Sequence, residues 1–211
     1  MQIGDKIPFG VYEWRVLDIQ NNSALIITEE VIERRPYHKT LIDITWADCD
    51  MRKYLNGEFY DKFSKEEKSR IITVINKTPD NPWFGTNGGE DTEDNIFNLT
   101  FEDVVCKYFG DSSALLYNRG KNQDYWFQRK DPNNNKRIAK YKGVIEKWHL
   151  RTPGKYQNRV ANVGADGNNQ YMSGSAHITG NPVKSYILEG KKAKDEDHMG
   201  VRPALWLKLQ F

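Results

Sequence analysis

GVRPALWLKL, residues 200–209, is the stretch on which the fold turns. It reads as a strand entered through a glycine, and it repeats the Trp, Arg and Pro of an earlier phrase, WHLRTPG at residues 148–154. Two such phrases frame a rigid scaffold, and the polar segment between them is the surface left to act. Between residue 148 and the closing phrase the signals are short strands set apart by Gly turns: KWHLR, RVANVG, QYMSGS, HITG and SYILEG. Further upstream the pattern changes. YEWRVLDIQ (12–20) alternates, NNS supplies a turn, and ALIITEEVI (24–32) follows, which predicts a hairpin before Pro36 breaks the run.

Trp46, Cys49, Met51 or Arg52, and Leu55 recur at helical spacing, predicting a helix over 45–56 with Thr45 as N-cap and Gly57 as its stop. Ser64 and Glu67 have capping-box spacing and predict a second helix over about 65–71. The β-branched run IITVIN (71–76) predicts a strand, and FEDVVCKYF (101–109) a third helix between Thr100 and Gly110. Residues 78–100 are turn formers until NIFNL near the end; a loop of that length inside a compact domain is organised by something. Residues 111–136 are polar, and KRIAKYKG is at most a short helix. Helices early and short strands late predict an α+β fold rather than a parallel βαβ one.

The chain of 211 residues contains no Gly/Ser-rich or Pro-rich linker, so residues 1–211 read as a single domain. Hydrophobic residues make up 38% and aromatics 12%, which predicts a core of few, large side chains. Thirty-one basic residues against 29 acidic give a net charge of +2, no electrostatic footprint for nucleic acid. The cationic KKAK (191–194) runs straight into Asp195, Glu196 and Asp197, a charge-mixed solvated loop. No apolar run approaches the roughly 18 residues of a membrane span, so membrane insertion is not expected. MQIGDKIPFG is not a signal peptide, which leaves the compartment open with a lean towards cytoplasm. Cys49 and Cys106 form no CxxC and read as buried free thiols, with one disulfide as the alternative.

Taken in order, FGVYEWRVLDIQ, MRKYLNGEFYDKFSKEEKSRI, DNPWFGTNGGEDTEDNIFNLT, WHLRTPG and GVRPALWLKL resemble an uncharacterised bacterial domain family, common in gut Firmicutes and their mobile elements. Its members close with W-x-L-R-S/T-P-G and G-V-R-P-A-L phrases. The resemblance covers nearly the whole chain and implies a fold but no established activity. The C-terminal half is also similar to the C-type-lectin-like fold shared by sulfatase-modifying (formylglycine-generating) enzymes and retroelement variable proteins. That likeness implies an antiparallel sheet joining the N- and C-terminal strands, with long irregular loops above it. GVRPALWLKL would then pair near YEWRVLDIQ, with WHLRTPG as a neighbouring strand. Trp148 and Trp206 would be core, and Arg151 and Arg202 structural arginines tying loop carbonyls or carboxylates.

Catalytic chemistry finds no candidate residues. Formylglycine generation needs redox cysteines in the C-terminal half, and none follows Cys106. His38, His149, His177 and His198 are scattered without HxH or HxxxH spacing, and His149 reads as a surface or hydrogen-bonded histidine. No GxSxG, GxGxxG or P-loop is present, and the TNGGED glycines lack the strand and helix that phosphate binding requires. Asp80, Asn81, Asn87, Glu90, Asp91, Asp94 and Asn95 offer hard oxygens at a spacing unlike an EF-hand; they serve structural turns, with bound calcium as the alternative. Trp83 and Phe84 read as a plug beneath that loop, or as a sugar-stacking pair if exposed.

Residues 155–181, KYQNRVANVGADGNNQYMSGSAHITGN, carry five Asn, four Gly, two Tyr and two Ser. That composition matches binding loops in which Tyr gives rigid contact area and Asn, Ser and Gly give adaptable hydrogen bonds; an edge β-meander with ordinary turns is the plainer alternative. In the retroelement proteins this region holds the diversified positions. The resemblance therefore places ligand contacts at Tyr156, Asn158, Asn162, Asn168, Asn169, Tyr171 and His177. The expectation is a non-catalytic module binding a protein or glycan, without a cofactor unless calcium serves. The alternatives are an enzyme-derived domain with an unassigned pocket, or a structural part of a phage or surface assembly.

Overall fold

A computed structural model describes residues 1–82, 84–114, 132–164 and 198–210. The chain opens with β1 (Lys6–Phe9), β2 (Tyr12–Gln20) and β3 (Ser23–Thr28), joined in antiparallel register. Asn21 and Asn22 both take positive φ, 45° and 65°, which gives the turn the hand that a twisted hairpin needs. The closing strand β13 (Ala204–Lys208) pairs with β3 from Ala204↔Ile27 to Lys208↔Ser23, and on its other side with β5 (Ile71–Ile72). The resulting five-stranded antiparallel sheet, order β1-β2-β3-β13-β5, joins the two ends of the described chain. Strand β3 therefore stands between the closing phrase and YEWRVLDIQ.

GVRPALWLKL is two strands. Pro203 cannot donate to a ladder; its carbonyl instead accepts Thr28 N at 3.0 Å, and the chain crosses there between sheets. Upstream of that crossing, β12 (Met199–Val201) belongs to a second sheet, order β11-β10-β12-β4, made with β4 (Glu33–Arg35), β10 (Trp148–Pro153) and β11 (Val160–Val163). WHLRTPG is thus not a neighbour in the first sheet, and β10 runs parallel to β12. The architecture is mixed α+β, dominated by sheets. No helix among the described residues is long and apolar enough to cross a membrane.

The first helix, α1 (Asp50–Tyr54), starts later than expected: Thr45 O accepts the amides of Asp48 and Cys49 in a preceding turn, and Cys49 Sγ caps the helix by accepting Arg52 N. Gly57 does not stop it. The chain continues through a π-helical turn (Leu55–Phe59) and a 3₁₀ turn (Tyr60–Lys62), and within the first Asn56 bonds the backbone of Asn95 and Ile96. Helix α2 (Lys65–Arg70) forms with the full Ser64–Glu67 capping box. IITVIN divides into β5 and β6 (Val74–Asn76), the latter pairing with β7 (Thr92–Asp94) inside the stretch expected to be irregular. Thr100 caps the third helical turn, whose Asp103 accepts Thr100 N at 2.8 Å, and Gly110 ends it at φ 95°. A short helix α3 (Asn134–Arg137) leads into the hairpin β8 (Ala139–Tyr141) and β9 (Val144–Glu146). Both cysteines are free.

The core fills the space around both sheets with Trp14, Trp46 and Trp148 at its centre, whereas Trp206 is only half-buried. Each buried indole has its own acceptor: Phe9 O, Asp94 Oδ2 and Arg137 O respectively. Arg202 donates to the carbonyls of Thr28, Glu29 and Arg137, and Arg151 to those of Asn98 and Lys77, so both are structural ties.

His149 is not at the surface. It is 1% exposed, and its Nε2–H donates to Arg35 O at 2.9 Å. Burial pushes its pKa down to about 4, only partly offset by that hydrogen bond. The unfolded histidine titrates near 6.5, so on acidification the unfolded chain takes up the proton first and stability falls with pH in that window. Urea melts between about pH 6.5 and about pH 4.5 should lose about 1.4 kcal/mol per pH unit from this group. His149→Gln should remove that share of the slope.

Candidate functional site

Pro153 ends β10, and the next six residues form a closed loop: Gly154 N donates to Arg159 O and Arg159 N to Tyr156 O before β11 begins. Tyr156 stands at its tip, 58% exposed. A second loop, residues 77–91, is closed at its base by the β6–β7 pair Asn76↔Thr92. Within it Asn81 makes an Asx turn, accepting Phe84 N with Oδ1, while Asp80 and Asn87 accept the amides of Gly88 and Gly89.

These loops are bonded to one another. Asn81 Nδ2 donates to Pro153 O at 2.8 Å, Thr86 Oγ1 to Lys155 O at 3.0 Å, and Gln157 Nε2 to Asn87 O at 3.0 Å. A third segment joins them, since Ile44 N donates to Gln157 O and Gln157 Nε2 reaches Ile44 O. Two glycines permit close approaches, Gly88 within the 77–91 loop itself and Gly89 against the third segment. A Cβ on Gly88 would lie 1.9 Å from Thr78 O, and one on Gly89, at φ 92°, 2.6 Å from Thr45 Cβ. The Lys155 ammonium lies 5.8 Å from the Phe84 ring centre and 5.3 Å from that of Tyr156, tying the two aromatics of the face together.

Asn158 is half-buried, and both its carbonyl and its Oδ1 accept from Arg159 Nη1. Asn162 is 2% exposed on β11, opposite His149, so it is not a surface contact beside Tyr156. Asn168, Asn169, Tyr171 and His177 lie outside the described residues, as does Trp83. Gln157, which clamps all three segments, was missed; the Gly88-Gly89 pair was the signal of a close backbone approach at this point.

Most of the oxygens weighed for calcium are engaged in the fold. Asp94 takes protein donors on both oxygens, and Asn95 Oδ1 accepts Thr73 Oγ1. Glu90 and Asp91 are exposed, and no three His, Cys, Asp or Glu side chains among the described residues are grouped to hold a metal ion. Burial pushes the Cys49 thiol up to about 12 and the Cys106 thiol up to about 11, away from a reactive thiolate.

A mixed α+β scaffold carrying three loops stitched into one face is the class these features define. The chain belongs to the family described as Domain of unknown function (DUF6273), whose family model matches residues 21–209. Comparison with curated proteins gives no match, and neither does comparison with solved structures.

Gly88→Ala disturbs the inner packing of the 77–91 loop on which the stitching depends. It should lower stability by about 1–3 kcal/mol and release the amides of 84–89 and 154–159 together in hydrogen exchange.

Proposed function

We propose that this chain is a non-catalytic binding module with a C-type-lectin-like arrangement, recognising a protein or glycan through the surface of residues 155–181 together with the 80–95 loop. The observation that carries the reading is the bonded junction of the 44–45, 81–89 and 153–157 segments, which presents Tyr156 from a preorganised base. Preorganisation lowers the ordering cost of binding, and an exposed tyrosine offers contact area with few rotatable bonds. The fold reading draws on the sheet that unites the N- and C-terminal strands and on the loops above the second sheet. Asn158 supplies an amide beside Tyr156; Asn162 acts beneath the face, by supporting β10.

A glycan-array screen of the protein, with calcium and with chelator, beside the double variant Tyr156→Ala and Asn158→Ala, tests the reading. Specific binding that drops at least about fivefold in the variant is expected, since losing one central aromatic contact costs upward of about 1 kcal/mol. Binding that persists in the variant contradicts the assigned face. Failure to bind any glycan removes sugar recognition and leaves a protein ligand.

A further inference from the structure

A surface pocket of about 270 Å³ opens between the hairpin β1–β2, the segment after β3 and the hairpin β8–β9. None of its residues belongs to the loops of the face above. Tyr12, Val31, Ile32 and Tyr141 give it mostly apolar walls. Thr28, 1% exposed, is also part of the lining, and its hydroxyl has no hydrogen-bond partner among the described residues. Buried hydroxyls are seldom left so.

The charges at the pocket are unevenly used. Glu29 is held by Arg15, at 2.5 and 2.7 Å, and by Lys6 at 3.1 Å. Burial works to raise its carboxyl, yet the hydrogen bonds and charges of Arg15 and Lys6 prevail and bring it down to about 2. Arg202, behind the wall, is engaged by the Thr28 and Glu29 carbonyls. Glu13 has only the outer reach of Lys6, at 3.5 Å. Glu30 is exposed and enters none of the ion pairs among the described residues. Among the described residues Glu30 is therefore free to take a cation, and Glu13 only shares with Glu29 the ammonium of Lys6.

The wall already accepts one. Lys142 and Gly143 turn the hairpin with positive φ, 51° and 82°, and this sets the Lys142 ammonium 5.1 Å from the centre of the Tyr141 ring. Val144, the cross-strand partner of Tyr141, is 71% exposed, and Val11, beside Tyr12, is 87% exposed. Apolar side chains adjoining both tyrosines suit the residues that flank an inserted side chain.

We propose that this pocket binds the side chain of a lysine or arginine presented by a polypeptide partner, its aliphatic stem between the tyrosine and Val31–Ile32 walls and its cationic head at Glu30 and Glu13. The volume suits one side chain and is below the range of a drug-sized ligand. A stem in apolar walls with the charge at the rim is how such side chains divide themselves between media. Lys142 is then the resident cation that an incoming one displaces from Tyr141.

The test is a titration of the ¹⁵N-labelled full chain, followed by NMR, with blocked pentapeptides acetyl-Gly-Ala-Xaa-Ala-Gly-amide in which Xaa is Lys, Arg, norleucine or Glu. The Lys and Arg peptides should shift the amides of Tyr12, Glu13, Glu30, Val31, Tyr141 and Lys142. Norleucine should bind about two- to fivefold more weakly, the scale of one exposed cation–π or ion-pair contact. Glu30→Gln should weaken the Lys peptide several-fold with an otherwise unchanged spectrum, and Lys142→Ala should strengthen it. Equal binding of norleucine, preference for Glu, weaker binding by Lys142→Ala, shifts confined to the Tyr156 loop, or no shifts at all would each overturn the proposal.

Discussion

The carboxylate of Asp94 is fully buried, and five side chains from three parts of the chain supply it with donors. Arg52 Nε bonds Oδ1 at 2.6 Å with Asn56 Nδ2 beside it, while Trp46 Nε1, Asn76 Nδ2 and Thr92 Oγ1 bond Oδ2. A carboxylate removed from water is tolerated only when such partners fill its lone pairs. The segment 46–56, the end of β6 and the start of β7 must therefore converge on one point. Asn76 and Thr92 are also the two ends of the 77–91 loop, so the same carboxylate that fixes Trp46 closes the base of that loop. Thr45, next to Trp46, is the residue on which Gly89 rests. The candidate binding face is thus held from below by a polar lock, with apolar packing around it.

Three buried arginines extend the logic to the sheets. Arg137 donates to Val104 O, Asn134 Oδ1 and Ser112 Oγ, while its own carbonyl receives Trp148 Nε1 and Arg202. Arg202 sits where the chain steps between sheets at Pro203, and Arg151 joins β10 to the carbonyls of 77 and 98. A planar fork with five donors can satisfy several carbonyls at a strand crossing where no regular ladder continues. In the closing phrase this explains why Arg and Pro stand together: Pro203 has no amide to give Thr28 O, and Arg202 Nε supplies the donor.

What the sequence disclosed followed from how local each signal is. The Asn21-Asn22 turn and the Ser64–Glu67 capping box involve neighbours, and both are present as expected. Trp46, Cys49 and Leu55, all buried, were also legible from their spacing, which left Met51 or Arg52 open between them, although the helix begins only at Asp50. Its start was misread because Trp46 answers to Asp94, 48 residues away, and no local pattern reports that bond. The acids and amides of 80–95 stood out by composition and were weighed as cation ligands, whereas most bond their own turns or the lock. Tyr156 and Asn158 were placed in the candidate face by the resemblance. The clamp that positions them, Gln157 with Asn81 and Thr86, joins segments about 70 residues apart.

Hydrogen exchange of Asp94→Asn against the parent protein tests this account most directly, because Asn keeps the shape of the side chain and removes the charge that faces Arg52. The lock predicts a loss of about 3–5 kcal/mol and early exchange across 77–91 and 44–56, with protection retained in the paired strands 12–20, 23–28 and 204–208. If those loops exchange as slowly as in the parent protein, Asp94 does not hold the face, and apolar packing alone must be what positions it.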